Sequence, residues 1–171
     1  VPVIAGGDKF RITNTGTINV EGENNLGIFA NINEASGRTN SSGVINLNAG
    51  GIINVKPVVK GATPVNTPIG IYLKGSNITV TTATATGNTF NVDEDGIGIY
   101  SEGENKLSTY KGAYNLKSSL AGTKSVKSIG IYLKDKSVAQ SGDITLSSTT
   151  GNDSSGDAIR PIGVYYSKPT V

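Results

Sequence analysis

The stretch Gly96-Ile97-Gly98-Ile99-Tyr100 contains a tetrapeptide, Ile-Gly-Ile-Tyr, on which the fold prediction depends. The same tetrapeptide or a close variant occurs four more times, as Leu26-Gly27-Ile28-Phe29, Ile69-Gly70-Ile71-Tyr72, Ile129-Gly130-Ile131-Tyr132 and Ile162-Gly163-Val164-Tyr165. Recurrence at intervals of roughly 30 residues is typical of a protein built from stacked structural repeats.

A second pattern of apolar, polar and apolar residues lies between the tetrapeptides. Examples are Ile18-Asn19-Val20, Ile53-Asn54-Val55, Phe90-Asn91-Val92, Tyr114-Asn115-Leu116 and Ile144-Thr145-Leu146. Both patterns alternate with a period of two, which indicates strands with one buried face. Gly and Asn often precede the triplets, and these residues favour turns.

The composition favours an all-β fold. Ile and Val number 32 residues and Leu only 8, and β-branched side chains pack well on a pleated surface. One repeat cannot bury its own apolar face, but stacked repeats can. We therefore predict a right-handed parallel β-helix, a solenoid of five to seven coils with protruding loops, as a single segment over residues 1–171. An antiparallel sandwich or barrel is the alternative.

The missing residue types exclude several kinds of chemistry. The chain has no His and no Cys, so thiol nucleophiles, His-dependent triads and zinc ribbons are excluded. We expect no cofactor and no metal.

A net charge of +2 does not favour a nucleic-acid partner. There is also no Met, and we expect the chain to be a fragment of a longer protein.

Alternation along the tetrapeptide predicts which side chains point inward. The first and third residues should face the core, so that glycine and the aromatic residue face outward. The aromatic residues would then form a column of Phe29, Tyr72, Tyr100, Tyr132 and Tyr165, beside a furrow of glycines. Such a column could be structural. It could also bind protein partners or sugar rings, and we take the four tyrosines as candidate binding residues.

The segment 56–68 is predicted to leave the stack as a protruding loop. It contains three prolines, which cannot donate hydrogen bonds to a β-ladder. Recognition residues often lie on loops held by a rigid scaffold. Lys60, Thr63 and Asn66 are therefore further candidate binding residues. The polar segment 149–157 is a second candidate loop.

Acidic residues cluster at Asp93-Glu94-Asp95. If Asp93 and Asp95 shared one strand face, they could serve a polysaccharide-cleaving enzyme, which needs two carboxyl groups. Oxygen-rich turns can also bind calcium. Three acids in succession are, however, common in a solvated turn. We therefore predict that the chain is not an enzyme and assign no catalytic residue.

The recurrent Gly-Ile-Gly-Ile-Tyr at 96–100, Ile-Gly-Ile-Tyr-Leu-Lys at 69–74 and 129–134, and Thr-Phe-Asn-Val at 89–92 are similar to known repeats. They resemble repeats in the passenger domains of large fusobacterial type V autotransporters, the RadD-like outer-membrane adhesins. The resemblance extends from about residue 16 to residue 166.

This resemblance implies a β-helical passenger segment at the cell surface, outside the outer membrane. It implies attachment to a protein or glycan receptor on host cells or other bacteria, as expected of a virulence-associated adhesin. We expect the fragment to be monomeric, without membrane insertion of its own. A passive spacer within the passenger rod and a secreted toxin-like passenger are the alternatives, and a polysaccharide lyase or hydrolase is a more distant one.

Overall fold

The protein is all-β in the part of the chain that the structure describes. The computed structural model describes residues 3–5, 9–32, 41–57, 59–60, 63–64 and 67–168, and the side chains of 3–5, 59–60, 63–64 and 138–141 lie outside that description. These residues include no helix, and so no helical segment that could cross a membrane. Most strands pair in parallel in one sheet that is nearly barrel-shaped.

Fifteen strands are present among the described residues. They are β1 (Val3–Ala5), β2 (Lys9–Asn14), β3 (Thr17–Glu21), β4 (Leu26–Ile32), β5 (Ser42–Leu47), β6 (Ile52–Lys56), β7 (Val59–Lys60), β8 (Thr63–Pro64), β9 (Ile69–Thr81), β10 (Asn88–Val92), β11 (Ile97–Ala121), β12 (Lys124–Lys127), β13 (Ile129–Lys134), β14 (Val138–Thr149) and β15 (Ile162–Ser167).

Parallel pairing arranges these strands in three stacks. Stack A contains β3, β6, β10, residues 112–117 of β11 and residues 144–149 of β14. Stack B contains β1, β4, residues 69–76 of β9, residues 97–104 of β11, β13 and β15. Stack C contains β2, β5, residues 78–81 of β9, residues 106–110 of β11 and residues 138–141 of β14.

The chain visits the stacks in the order C, A, B five times. Each visit is one repeat, and the five repeats span 9–32, 42–75, 78–103, 106–134 and 138–167. A strand of one repeat pairs with the equivalent strand of the next. Ile99, for example, pairs directly with Ile71 on one side and with Ile131 on the other, so these three residues are vertical neighbours.

The core consists of columns of aliphatic and aromatic side chains contributed by successive repeats. Ile71, Ile99 and Ile131 are fully buried in stack B. In stack A, the ring of Phe90 stacks on that of Tyr114 with centroids 4.8 Å apart. The apolar positions of the triplets at 53–55, 90–92 and 114–116 are therefore core positions, as their alternation predicts, whereas Leu146 in the last repeat is 51% exposed.

The glycine of the tetrapeptide faces inward, so the predicted outer furrow of glycines is wrong. A Cβ on Gly98 would lie 2.5 Å from the carbonyl oxygen of Gly130 and 3.0 Å from Cε1 of Tyr114 in the core. The ladder pairs Ile97 and Ile99 with the next repeat but skips Gly98. The strand thus bends at glycine, and two successive residues point to the core. Equivalent contacts occur at Gly27, Gly70 and Gly130, whereas a Cβ on Gly163 in the last repeat would meet the Leu146 side chain at 2.4 Å.

The middle residues of the triplets form a ladder of asparagines on the outside of stack A. The Nδ2 atom of Asn54 donates to Oδ1 of Asn19 at 2.8 Å, and that of Asn91 donates to Oδ1 of Asn54 at 2.8 Å. Asn115 donates to Asn91 in the same way at 2.7 Å. Equivalent polar side chains can bond in this way only because the strands are parallel and in register.

Candidate functional site

The aromatic column predicted from the tetrapeptides is present on the outside of stack B. The distances between successive ring centroids are 5.3, 5.0, 4.8 and 4.9 Å along the column of Phe29, Tyr72, Tyr100, Tyr132 and Tyr165. The first four side chains are partly buried, and Tyr165 is 41% exposed. The structure therefore brings the four candidate tyrosines together.

The geometry of the column limits what these tyrosines can bind. The rings of Tyr72 and Tyr100 are stacked and nearly parallel, with an interplanar angle of 7°, and the stacked rings of Tyr100 and Tyr132 are inclined at 25°. The two faces of Tyr100 are therefore covered by neighbouring rings. A sugar ring stacks on an open aromatic face, and the middle of the column offers only ring edges and hydroxyl groups. This arrangement favours a structural role for the column.

One hydroxyl group of the column is held by a carboxylate. The Tyr72 hydroxyl donates to Oε2 of Glu102 at 2.7 Å, and Lys134 Nζ lies 3.7 Å from Oε1 of Glu102. Partial burial, followed by the hydrogen bond and the charge of Glu102, raises the pKa of Tyr72. This hydrogen bond fixes the Tyr72 side chain in one rotamer, which suits a structural role in the column.

The loop candidates fall mostly outside the described side chains. Lys60 lies in β7 and Thr63 in β8, and their side chains are not described. Asn66 lies outside the described residues altogether. Strands β7 and β8 pair with each other in a separate two-stranded sheet. This part of the segment 56–68 therefore leaves the main sheet, as predicted.

The connections from stack A to stack B differ strongly in length. Repeats 1 and 3 cross with the short turns 22–25 and 93–96. Repeats 2, 4 and 5 cross with the much longer insertions 57–68, 118–128 and 150–161. In a stack, equivalent connections leave at the same edge of the molecule. Three long insertions therefore emerge along one edge, which we call the A–B edge.

The insertion of repeat 4 is an antiparallel hairpin. The end of β11 pairs with β12, from Ser118 opposite Lys127 to Ala121 opposite Lys124. Val126 is 4% exposed and anchors the hairpin. Lys124 and Lys127 are exposed. The hairpin is thus an ordered projection that presents two lysines to solvent.

The insertion of repeat 5 is organised by Asp153. Its Oδ1 atom accepts hydrogen bonds from the backbone nitrogens of Ser155 at 2.8 Å and Asp157 at 2.9 Å. Ile159 is 6% exposed and holds the end of the insertion against the body of the protein. The polar segment singled out in the sequence is therefore a closed loop with internal hydrogen bonds.

The insertions of repeats 4 and 5 contact each other. The backbone nitrogen of Gly151 donates to the carbonyl oxygen of Ser118 at 2.9 Å. The Ser118 hydroxyl donates to the carbonyl oxygen of Ile159. The hairpin and the loop therefore form one continuous surface, composed of residues 118–128 and 150–161.

Charges of both signs lie beside this surface. Lys117 Nζ is 2.9 Å from Oδ1 of Asp93, and that hydrogen bond raises the pKa of Lys117. Partial burial raises the pKa of Asp95, and the charge of Lys124 opposes that effect. Such mixed, partly paired charge is typical of the polar rim of a protein interface.

The acidic cluster is not arranged as the enzyme hypothesis required. Strand β10 ends at Val92, so Asp93 and Asp95 lie in a turn and do not share a strand face. Asp95 has a φ of 68°, and Asp93 is paired with Lys117. No group of three or more acidic residues able to hold a metal ion occurs within the described ranges.

Sequence reasoning missed the hairpin, although it singled out the loop at 149–157 that contacts it. No tetrapeptide and no triplet falls within residues 118–128, so neither a strand nor a binding residue is predicted there. One signal was available in the sequence. The spacing from the preceding tetrapeptide is longer for the tetrapeptides of repeats 4 and 5 than for that of repeat 3. Comparison of the chain with protein-family models, curated proteins and solved structures finds no match.

Proposed function

We propose that the chain is a non-enzymatic adhesive segment, part of an autotransporter passenger domain at the bacterial cell surface. Its partner is a protein or glycan receptor on host cells or other bacteria. The single observation that carries this proposal is the A–B edge, where three long insertions project from one side of a regular stack. Variable loops on a rigid scaffold are a common arrangement in recognition proteins.

The proposed architecture beneath these loops is a right-handed parallel β-helix of five coils. Support comes from the pairing of each strand with its equivalent in the next repeat, as in Phe90 with Ile53 and with Tyr114. It also comes from the order C, A, B, which every repeat follows. The handedness is proposed because parallel crossover connections are almost always right-handed.

The proposed mechanism is display of loops that are ordered before binding. The hairpin is anchored by Val126 and the loop by Ile159, and the two insertions bond to each other through Ser118. Few residues would therefore lose conformational freedom on binding. Preordering of this kind strengthens binding because the entropic cost is reduced.

The spacer hypothesis is the second candidate, and the aromatic column favours it. The covered ring faces of Tyr100 and its neighbours suit a stiff rod better than a sugar-binding surface. A spacer would carry a distant binding region and would itself bind nothing. The two candidates therefore differ in whether residues 1–171 alone attach to cells.

The direct test measures binding of fluorescently labelled chain to host cells and to partner bacteria. One variant replaces residues 117–128 with a copy of the turn 93–96, which spans the same junction in repeat 3. A second carries Lys124→Glu and Lys127→Glu. Its matched control carries Lys9→Glu and Lys106→Glu, which are exposed residues of stack C and change the net charge equally.

We expect the chain to bind, the turn replacement to abolish binding, and the hairpin charge reversal to weaken it at least tenfold. The control should bind as the unaltered chain does, and circular dichroism should show that all variants are folded. Unaltered binding by the turn replacement would contradict a role for the hairpin. Absence of binding by the chain, when the intact surface protein binds, would favour the spacer.

A further inference from the structure

The junction between stacks C and A contains a buried asparagine with unpaired polar atoms. Asn88, the first residue of β10, is completely buried. Among the residues that the structure describes, neither its Nδ2 nor its Oδ1 atom finds a hydrogen-bond partner, and the same is true of Nδ2 of the buried Asn14. Buried amide groups in folded proteins are normally hydrogen-bonded, to protein or to ordered water.

Asn88 has glycines on both sides, and Gly51 leaves room for its side chain. It pairs with Gly112 in the following repeat. On the other side, a Cβ placed on Gly51 would lie 2.3 Å from Oδ1 of Asn88 and 2.8 Å from the carbonyl oxygen of Asn14. Asn88 therefore lies between two glycines. Its amide oxygen and the carbonyl oxygen of Asn14 both approach the point that a Cβ on Gly51 would occupy.

Two buried hydroxyl groups lie on the other side of Asn88. The Tyr110 and Tyr114 hydroxyls are 2.7 Å apart and share one hydrogen bond. A Cβ on Gly112 would lie 2.3 Å from the Tyr110 hydroxyl. Whichever tyrosine donates, one hydroxyl hydrogen is left over, because each hydroxyl carries one donor.

We propose that this junction is a binding site for internal water, held by Asn88 together with Asn14. The hydrogen-bonding capacity of the unpaired atoms determines which ligand the site can bind. Two amide nitrogens and one amide oxygen present more donors than acceptors, whereas a cation requires several oxygen ligands. An anion without a neighbouring positive charge would be strongly disfavoured in this interior. Water can both accept from the amide nitrogens and donate to the amide oxygen.

The test is magnetisation transfer between water and the side-chain amide protons of the isotopically labelled chain. We expect the nuclear Overhauser effect between water and the Asn88 Nδ2 protons to have the sign that is characteristic of a water molecule resident for longer than nanoseconds. The exposed amide of Asn115 should show only rapidly exchanging water. Because tyrosine hydroxyls can relay such transfer, the measurement is repeated on Tyr110→Phe, in which the Asn88 signal should persist.

Asn88→Leu supplies a second readout at Asn14. The leucine side chain lacks both polar atoms of the Asn88 amide, so the long-lived water signal at Asn14 Nδ2 should be lost. Absence of a long-lived water signal at Asn88 in the unaltered chain would overturn the proposal, whether or not the variant folds. Loss of the Asn88 signal in Tyr110→Phe would also overturn it, because the transfer would then come from the hydroxyl.

Discussion

At the scale of single residues, the tetrapeptide glycines show how a local pattern can mislead. Strict alternation places Gly98 outside, yet its α-carbon faces the core and lies against the backbone of the next repeat. Alternation along one strand contains no information about a bend. The bend lies within stack B, where Ile97 and Ile99 pair with the neighbouring repeats and Gly98 does not, so it becomes visible only when repeats are assembled.

Gly98→Ala should destabilise the protein by about 1–3 kcal/mol, because the added methyl group overlaps the carbonyl oxygen of Gly130 and crowds Tyr114. Gly16→Ala is the matched control, since nothing lies within 4 Å of a Cβ at that position. Its effect should be within about 0.5 kcal/mol. Urea denaturation measures both, and equal effects would contradict the inward placement of Gly98.

The two buried tyrosines predict a loss of stability at high pH. Burial raises the pKa of both Tyr110 and Tyr114 above the usual value near 10. Above that pH the unfolded chain loses protons that the folded chain retains, so stability is full below pH ~10 and falls as the pH rises.

A titration that records tyrosinate absorbance and far-ultraviolet circular dichroism checks this prediction. The last part of the absorbance change should coincide with loss of the β-sheet signal, because Tyr110 and Tyr114 ionise only when the chain unfolds. Ionisation of all 7 tyrosines while the β-sheet signal remains intact would contradict the burial of this pair.

At the scale of elements, the strands and two of the three insertions were predictable from the sequence, whereas the hairpin of residues 118–128 was not. The triplet Phe90-Asn91-Val92 corresponds to the end of β10, and the tetrapeptide at 97–100 begins β11. These strands are set by side-chain alternation, which is local. The hairpin ending in β12 depends instead on Val126 finding a buried position against the body of the protein, and no local pattern shows that.

Interior polar residues were also beyond sequence reasoning. Ser101 occupies a fully buried position whose equivalents in neighbouring repeats are Leu73 and Leu133. Its hydroxyl lies 2.7 Å from that of Ser137, and Asn105 Nδ2 donates to it at 3.3 Å. Because Ser137 is 36 residues away in the sequence, only the assembled stack reveals how the buried hydroxyl is satisfied.

The asparagine ladder of stack A should stabilise the protein in proportion to the bonds that each member makes. Asn91 takes part in two side-chain bonds and Asn115 in one. Asn91→Ala should therefore cost about 1–2 kcal/mol and Asn115→Ala about half as much. Chemical denaturation provides the two values, and a larger cost at Asn115 would contradict a ladder in which bonds act similarly.

At the scale of the whole molecule, stacked repeats account for both the stability and the display of loops. Residues far apart in sequence become vertical neighbours, so the core grows by one layer with each repeat. Insertions at one junction then accumulate along one edge without disturbing the columns. Repeats with short turns at 22–25 and 93–96 show that the stack itself does not need those insertions.

The central claim is that equivalent positions of the five repeats lie directly above one another. Asn19, Asn54, Asn91, Asn115 and Ser147 form one such column through successive pairings. The chain contains no cysteine, so Asn19→Cys and Ser147→Cys introduce two unique sites for spin labels. At the usual spacing between strands, four steps separate their backbones by about 19 Å.

The deciding measurement is the distance between these two labels by pulsed electron paramagnetic resonance. We predict a single narrow distribution centred at about 20 Å, because the labels would stand on the first and fifth layers of one column. A distribution centred beyond about 30 Å, or one that spans the whole accessible range, would contradict the stacked arrangement and the loop display that rests on it.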